Sequence, residues 1–386
     1  MNKCFITKLP SSVDNDNLPV LGQLKINWLK QDNLTNNDSR AIGFRTNDSI
    51  TVKVSGAHFT DSTLTSNLGN TKTITSADGS VWLYISNDAD AVLTIDNKYL
   101  LTALSFSYNQ NWSLSRSANL DIEDIRYCTN LTNLDLAGVQ VNGDISAVSN
   151  LVNLNNLNLY NTKISGDISA LNKLINLVTL NLHNNSISGN IGILSNLINL
   201  TSLNLIDTQV SGDISALNKL TKLNTLSLNN TQVSGDISAL SNLTNLTNVQ
   251  LNSTNVSGDI ASLANLTKLT YLSELKGISL TGDMSKIPAN VNFISQRNRK
   301  INTNFTWTAN GRQNATLLAI EGNIPFDTVS MDNMLIDQAT CTVASSSNAG
   351  YERTIGVFGS RTSASDAAVA TIQSKGITIT GVTKQA

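Results

Sequence analysis

The sequence predicts a solenoid of stacked coils, each laying a short strand into a parallel sheet, carried between two non-repeat domains. Three observations predict it. Glycines at Gly143, Gly166, Gly189, Gly212, Gly235, Gly258 and Gly282 are separated by 23, 23, 23, 23, 23 and 24 residues, so seven units stand in register. Leucines share that period, one column running Leu131, Leu154, Leu177, Leu200, Leu223, Leu246, Leu269 and another Leu151, Leu174, Leu197, Leu220, Leu243, Leu266. No single coil can bury its own leucines, so the core forms only by stacking. The texture then changes near residue 100 and again after Pro288, where the period breaks.

One unit reads Leu154-x-x-Leu157-x-Leu159-x-x-Thr162-x-Ile164-Ser165-Gly166-Asp167-Ile168-Ser169-Ala170-Leu171-x-x-Leu174. Leu157-x-Leu159 alternates as a strand does, and successive coils pair such strands at about 4.8 Å. Ser-Gly-Asp-Ile is expected to turn the chain out of the strand, with the glycine at positive φ or where backbones crowd. The Asp column (Asp144, Asp167, Asp213, Asp236, Asp259, Asp283, with Asn190 as the exception) can accept backbone N–H bonds at the start of the convex turn. A cation row along it is the alternative, opposed by Asn190 and by the lack of a second acidic column. The column after the strand reads Val139, Thr162, Asn185, Thr208, Thr231, Thr254, Ile278, whose hydroxyls can bond backbone groups in the bend.

This pattern resembles the leucine-rich-repeat family over roughly residues 100 to 290, and its Ser-Gly-Asp-Ile segment is similar to bacterial or phage surface types with 23-residue repeats. The resemblance implies a leucine-rich-repeat solenoid with a parallel β-sheet, an irregular or 3-10 convex side, and a concave face that binds a protein or glycan. Asp121-Ile122 lies one period before Asp144-Ile145, which puts Cys128 in the Leu151 column as a core residue, and Leu101-x-x-Leu104-x-Phe106 fits the strand of an irregular first coil. The organisation is an extended arm over 1–25 with Pro10 and Pro19, a β-rich domain over 26–100, the solenoid over 101–290 and an α/β cap over 291–386. Within the β-rich domain, Ser49 to Val54, Val81 to Ile85 and Ala91 to Ile95 read as strands. In the cap, strands are expected at Thr316 to Ile320, Thr354 to Phe358 and Ile377 to Thr380. Helices are expected at Met331 to Ala339 and Ala367 to Lys375, the latter with a Ser/Asp start and Gly376 at its end. The cap should continue the solenoid sheet, with Cys341 buried.

Composition argues against several activities. With 26 basic and 28 acidic residues and only 14% charged, no overall field draws nucleic acid or an anionic membrane. Arg297, Arg299, Lys300 and Arg312 lack interleaved aromatics and read as a solvated edge. Cys4, Cys128 and Cys341 are too few and too scattered for a disulfide framework. Cys4 reads as a small buried thiol, a lipid anchor there requiring a trimmed leader. No signal peptide or membrane span is evident. The only histidines, His58 and His183, exclude two-His zinc motifs, and no phosphate loop, nucleophile elbow or paired CxxC is present. No cofactor, metal or catalytic residue is therefore expected.

Binding is easier to place. Two outward columns are monotonous: Asn133, Asn156, Thr179, Ser202, Thr225, Asn248, and Asp135, Asn158, Asn181, Asn204, Ser227, Gln250. The next varies: Ala137, Tyr160, His183, Ile206, Asn229, Asn252. The candidate ligand patch is Tyr160, His183 and Ile206, with Asn158, Asn181, Asn184 and Asp207 around them; the alternative is an ordinary polar sheet with scattered apolar groups. Two function classes follow. One is a non-enzymatic recognition or adhesion module; the other is a structural virion component, a phage fibre or decoration protein, assembled through residues 1–100. An extracellular surface or a virion is the expected location.

Overall fold

The computed structural model describes residues 24–28, 40–46, 48–55, 59–60, 71–78, 81–85, 91–96, 101–106, 118–272, 279–291, 293–295, 305–311, 319–341 and 354–385. The arm up to residue 23, Cys4, His58, Ile278, the Arg297–Arg312 basic group and Thr316 to Leu318 lie outside them. The chain divides into two compact units, residues 1–189 and 190–386.

The first unit begins with antiparallel strands. Leu24–Trp28 pairs with Ala91–Ile95, then come Ile50–Ser55 and Thr71–Ile74. Another antiparallel set holds Phe59–Thr60, Val81–Ile85 and Arg40–Thr46. Ile50, Val52 and Val54 are buried while Lys53 and Ser55 are exposed, the alternation of a half-buried strand. Both sets run on into the coils. Leu24–Trp28 pairs antiparallel with Ala118–Asp121, and Arg40–Thr46 with Leu101–Phe106. Those two strands then pair in parallel with Gln140–Asp144 and Asn133–Asp135. Leu101–Phe106, the strand expected for the first coil, is therefore where antiparallel pairing gives way to parallel. The backbone row that a first coil would leave open there is paired.

Each coil contributes two strands and a 3-10 turn. In the first sheet Asn133–Asp135, Asn156–Asn158 and Thr179–Asn181 pair at a spacing of 23, with Leu134, Leu157 and Leu180 turned into the core. The segment expected to be a turn is a strand of a second parallel sheet: Gln140–Asp144 and Lys163–Asp167 lie side by side, Gly143 opposite Ile164. The reason is period two. Ile164 is buried and Lys163 and Ser165 are exposed, so the segment alternates up to Gly166, whose φ of 107° bends the ladder before Asp167. Because the register of these two strands advances by 21 residues rather than 23, the repeat glycines lie against the previous coil's Asp, or, at Gly212, against Asn190.

The Asp column caps 3-10 turns as expected. Asp144 and Asp167, both in extended backbone, each accept the N–H two residues on, from Ser146 and Ser169, at 2.8 Å. Asn190 does the same for Gly192 at 2.7 Å, so the cap needs an oxygen and not a charge. The N–H bonds from Ser169, Ser215 and Ser238 hold the carboxyls of Asp167, Asp213 and Asp236 below the usual carboxylate range. Native values below the unfolded ones mean that the caps' stabilisation is complete above about pH 4 and is lost as pH falls through the native values. An Asp167→Asn, Asp213→Asn, Asp236→Asn triple variant should keep its caps and show a flatter fall of the urea midpoint below about pH 4. An equally steep fall would contradict this source of acid sensitivity.

The column after the strand bonds the bend. Buried Asn185 donates to Leu159 O at 2.6 Å and Leu182 O at 3.0 Å, and accepts from Thr162 Oγ1 at 2.7 Å and Ile164 N at 3.2 Å. In the second unit Thr208, Thr231 and Thr254 donate to Leu205 O, Leu228 O and Leu251 O at 2.6, 2.7 and 2.7 Å. Val139 is buried at the near end of the column. Truncation should follow the number of bonds lost. Asn185→Ala is expected to cost about 2–3 kcal/mol and Thr231→Ala about 1, measured by urea unfolding.

The second unit repeats the coil with Ser202–Asn204, Thr225–Ser227, Asn248–Gln250 and Tyr271–Leu272. Its sheet continues in parallel through Phe293–Ser295, Ala319–Pro325, Thr354–Arg361 and Thr378–Lys384, the continuation expected of the α/β region. Between these strands lie α1 (Thr328–Thr340) and α2 (Asp366–Ser374). Asp327 caps α1 by accepting Ser330 N at 2.9 Å, and Lys375 Nζ donates to its last carbonyls, Ala339 O at 2.6 Å and, beyond the helix, Cys341 O at 2.7 Å. Asp332 on α1 accepts Thr362 Oγ1 at 2.7 Å and Ser365 Oγ at 2.6 Å, tying the helix to the start of α2. Cys128 and Cys341 are buried thiols. The architecture is a leucine-rich-repeat solenoid, with a second parallel sheet beside the 3-10 turns.

Candidate functional site

The outward face of the first sheet in the first unit carries three columns. In one, Asn133 Nδ2 donates to Ser105 Oγ at 3.0 Å, Asn156 Nδ2 to Asn133 Oδ1 at 2.5 Å, and the Thr179 hydroxyl to Asn156 Oδ1. This ladder uses up much of its own polarity. In the second, Asp135, Asn158 and Asn181 each accept the backbone N–H two residues on, from Ala137, Tyr160 and His183, at 3.2, 3.3 and 3.2 Å. Those bonds fix the backbone that presents the third column. There Tyr160 and His183 stack with ring centroids 5.0 Å apart and planes tilted by 41°, both half-buried.

Next to the rings stands a column that the sequence reading did not isolate. Gly138, Asn161 and Asn184 have φ of 70°, 53° and 57°, and in the second unit Asp207, Asn230 and Ser253 have 53°, 56° and 52°. This left-handed turn suits Gly, Asn and Asp, and that composition at the repeat spacing was the available signal. Asn184 Nδ2 donates to Asn161 Oδ1 at 2.6 Å, and Asn230 Nδ2 to Asp207 Oδ1 at 2.6 Å. Of the seven candidate residues, Tyr160, His183, Asn158, Asn181 and Asn184 gather on the first unit's face. Ile206 and Asp207 hold the equivalent positions in the second unit, where Ile206 N donates to Asn204 Oδ1 at 3.2 Å. Further along that unit's face, an amide chain runs from Asn229 Nδ2 to Gln250 Oε1 at 3.0 Å and from Gln250 Nε2 to Asn248 Oδ1 at 3.2 Å.

Asp135 is the one carboxylate among the described residues of the first unit's three columns, and burial pushes its carboxyl up despite the Ala137 N–H and Asn158 amide bonds. Among the described residues no three His, Cys, Asp or Glu side chains cluster closely enough to hold a metal ion, and no helix is long and apolar enough to cross a membrane.

No protein-family model and no curated protein matches the chain. Solved structures do. A plant peptide hormone receptor, RGFR1 in complex with RGF2, is similar at 20% identity and a TM-score of 0.49, covering 69% of this chain and 46% of its own. The ectodomain of the receptor kinase GASSHO1/SCHENGEN3 from Arabidopsis thaliana is similar at 20% identity and a TM-score of 0.48, covering 68% of this chain and 30% of its own. Internalin C2 from Listeria monocytogenes is 27% identical with a TM-score of 0.38, covering 55% of this chain and 80% of its own. The chain thus spans less than half the length of the two plant receptors.

Proposed function

We propose that this chain is a non-enzymatic recognition protein that binds a protein or glycan at an extracellular surface, using the outward face of its first sheet around Tyr160 and His183. The stacked ring pair carries the reading. Among columns otherwise made of amides, one hydroxyl, one carboxylate and Ala137, two adjacent coils set a phenol and an imidazole against each other, and their backbone is held by Asn158 and Asn181. Aromatic groups with a polar tip bring large contact area at small entropic cost and anchor binding surfaces. The neighbouring amides have their oxygens committed to the backbone or to the next coil, which makes the surface stiff before any partner arrives.

The test is a glycan and purified-protein array probed with the full chain and with a Tyr160→Ala, His183→Ala double variant of equal melting temperature. Signals present in the parent and lost in the double variant support the reading. Signals that survive the double substitution unchanged would place recognition elsewhere.

A further inference from the structure

The Asp135 carboxylate does structural work that needs no charge. Its Oδ1 accepts Ala137 N at 3.2 Å, and Asn158 and Asn181 make the same bond one and two coils on with neutral amides. A carboxylate is therefore superfluous for the backbone, and half-withdrawn from water it costs more than an amide would. Asp135 is in no ion pair among the described residues. Arg45, on the same face two strands away by register, is exposed. Asp135 lies directly opposite Asn158, two residues before Tyr160, and Gly138 N donates to Tyr160 O at 2.7 Å, so the parallel pairing carries on past the strand and sets Tyr160 one diagonal step from Asp135. A negative charge one diagonal step from an aromatic ring suits a cation, which the carboxylate attracts and the ring quadrupole accepts.

We propose that Asp135 anchors a positively charged group of the partner, a lysine or arginine side chain or a free amine, lodged between its carboxylate and the Tyr160 ring. This rests on the reading of that face as the recognition surface, and it narrows the partner to one presenting an exposed cation.

The test uses two capped peptides, acetyl-Gly-Lys-Gly-amide and acetyl-Gly-Gln-Gly-amide, titrated into the full chain while the His183 ring resonance is followed at fixed pH. The lysine peptide should shift it saturably, more weakly as salt is added, and the glutamine peptide should not. Asp135→Asn keeps the Ala137 N–H acceptor, so its melting temperature should hold while its affinity for the lysine peptide falls at least about tenfold. Equal binding of both peptides, unchanged affinity in Asp135→Asn, or no shift with the lysine peptide would each overturn the proposal. An array partner that requires Tyr160 and His183 but ignores Asp135→Asn would sink the cation anchor alone and leave the recognition face standing.

Discussion

Gly166→Ala is expected to lower the stability of the first unit by about 2–3 kcal/mol, from two separable causes. Gly166 has φ of 107°, a backbone region that side chains avoid at a cost of about 1–2 kcal/mol. A Cβ there would also stand 2.5 Å from the Asp144 carboxylate of the preceding coil. A carboxylate at the end of a free side chain would swing away cheaply, but this one is held by Ser146 N at 2.8 Å, so moving it surrenders a turn cap of about 1 kcal/mol. Gly376→Ala separates the causes. Its φ is 78° with nothing within 4 Å of the added carbon, so only the backbone cost should appear. In an Asp144→Ala background Gly166→Ala should likewise lose its contact share, a coupling of about 1 kcal/mol in a double-mutant cycle read by urea unfolding. Additive effects would show that Asp144 yields freely and that the glycine is kept for its backbone alone.

The same residues show how far the sequence could be read. The leucine columns, the Asp caps and the Thr/Asn column are legible because each depends on chemistry repeated at a fixed spacing, and a repeat exposes its own rules. The second sheet is hidden because Lys163–Asp167 contains a glycine and an aspartate, the composition of a turn. Its pairing is also staggered against the repeat, so no residue lies opposite its own equivalent. The meeting of the antiparallel sheets with the coils at Leu101–Phe106 and Ala118–Asp121 is a matter of tertiary register, which no local pattern encodes. At the candidate site, period and variability single out Tyr160 and His183. Exposure and ring contact, however, come only from the fold. Asn184 belongs to the left-handed turn column, so its side chain serves the coil-to-coil amide bond to Asn161 as well as the face.

Asp337→Ala is the other substitution with a large expected cost, about 3–4 kcal/mol, and it falls in the second unit. Asp337 on α1 is fully buried and accepts Trp307 Nε1 and Asn310 N, each at 2.9 Å. Trp307 is itself 2% exposed and meets Phe326 edge-on at a centroid distance of 6.2 Å, so its indole N–H has no water to turn to. Removing the acceptor strands one buried donor, the Trp307 indole N–H, and leaves a small void, each penalty of order 1–3 kcal/mol, while the N–H of exposed Asn310 can turn to water. Asp337→Asn keeps the volume and one acceptor but sets an amide N–H against a donor, so an intermediate loss of about 2 kcal/mol is expected. A solenoid is held together by neighbour-to-neighbour contacts, so the damage should stay local. Amide exchange in α1 should accelerate strongly, while Asn156–Asn158 in the first unit keeps its protection. Equal acceleration in both places would mean that the chain unfolds as one cooperative body, and that stability at α1 is shared with the coils bearing Tyr160 and His183.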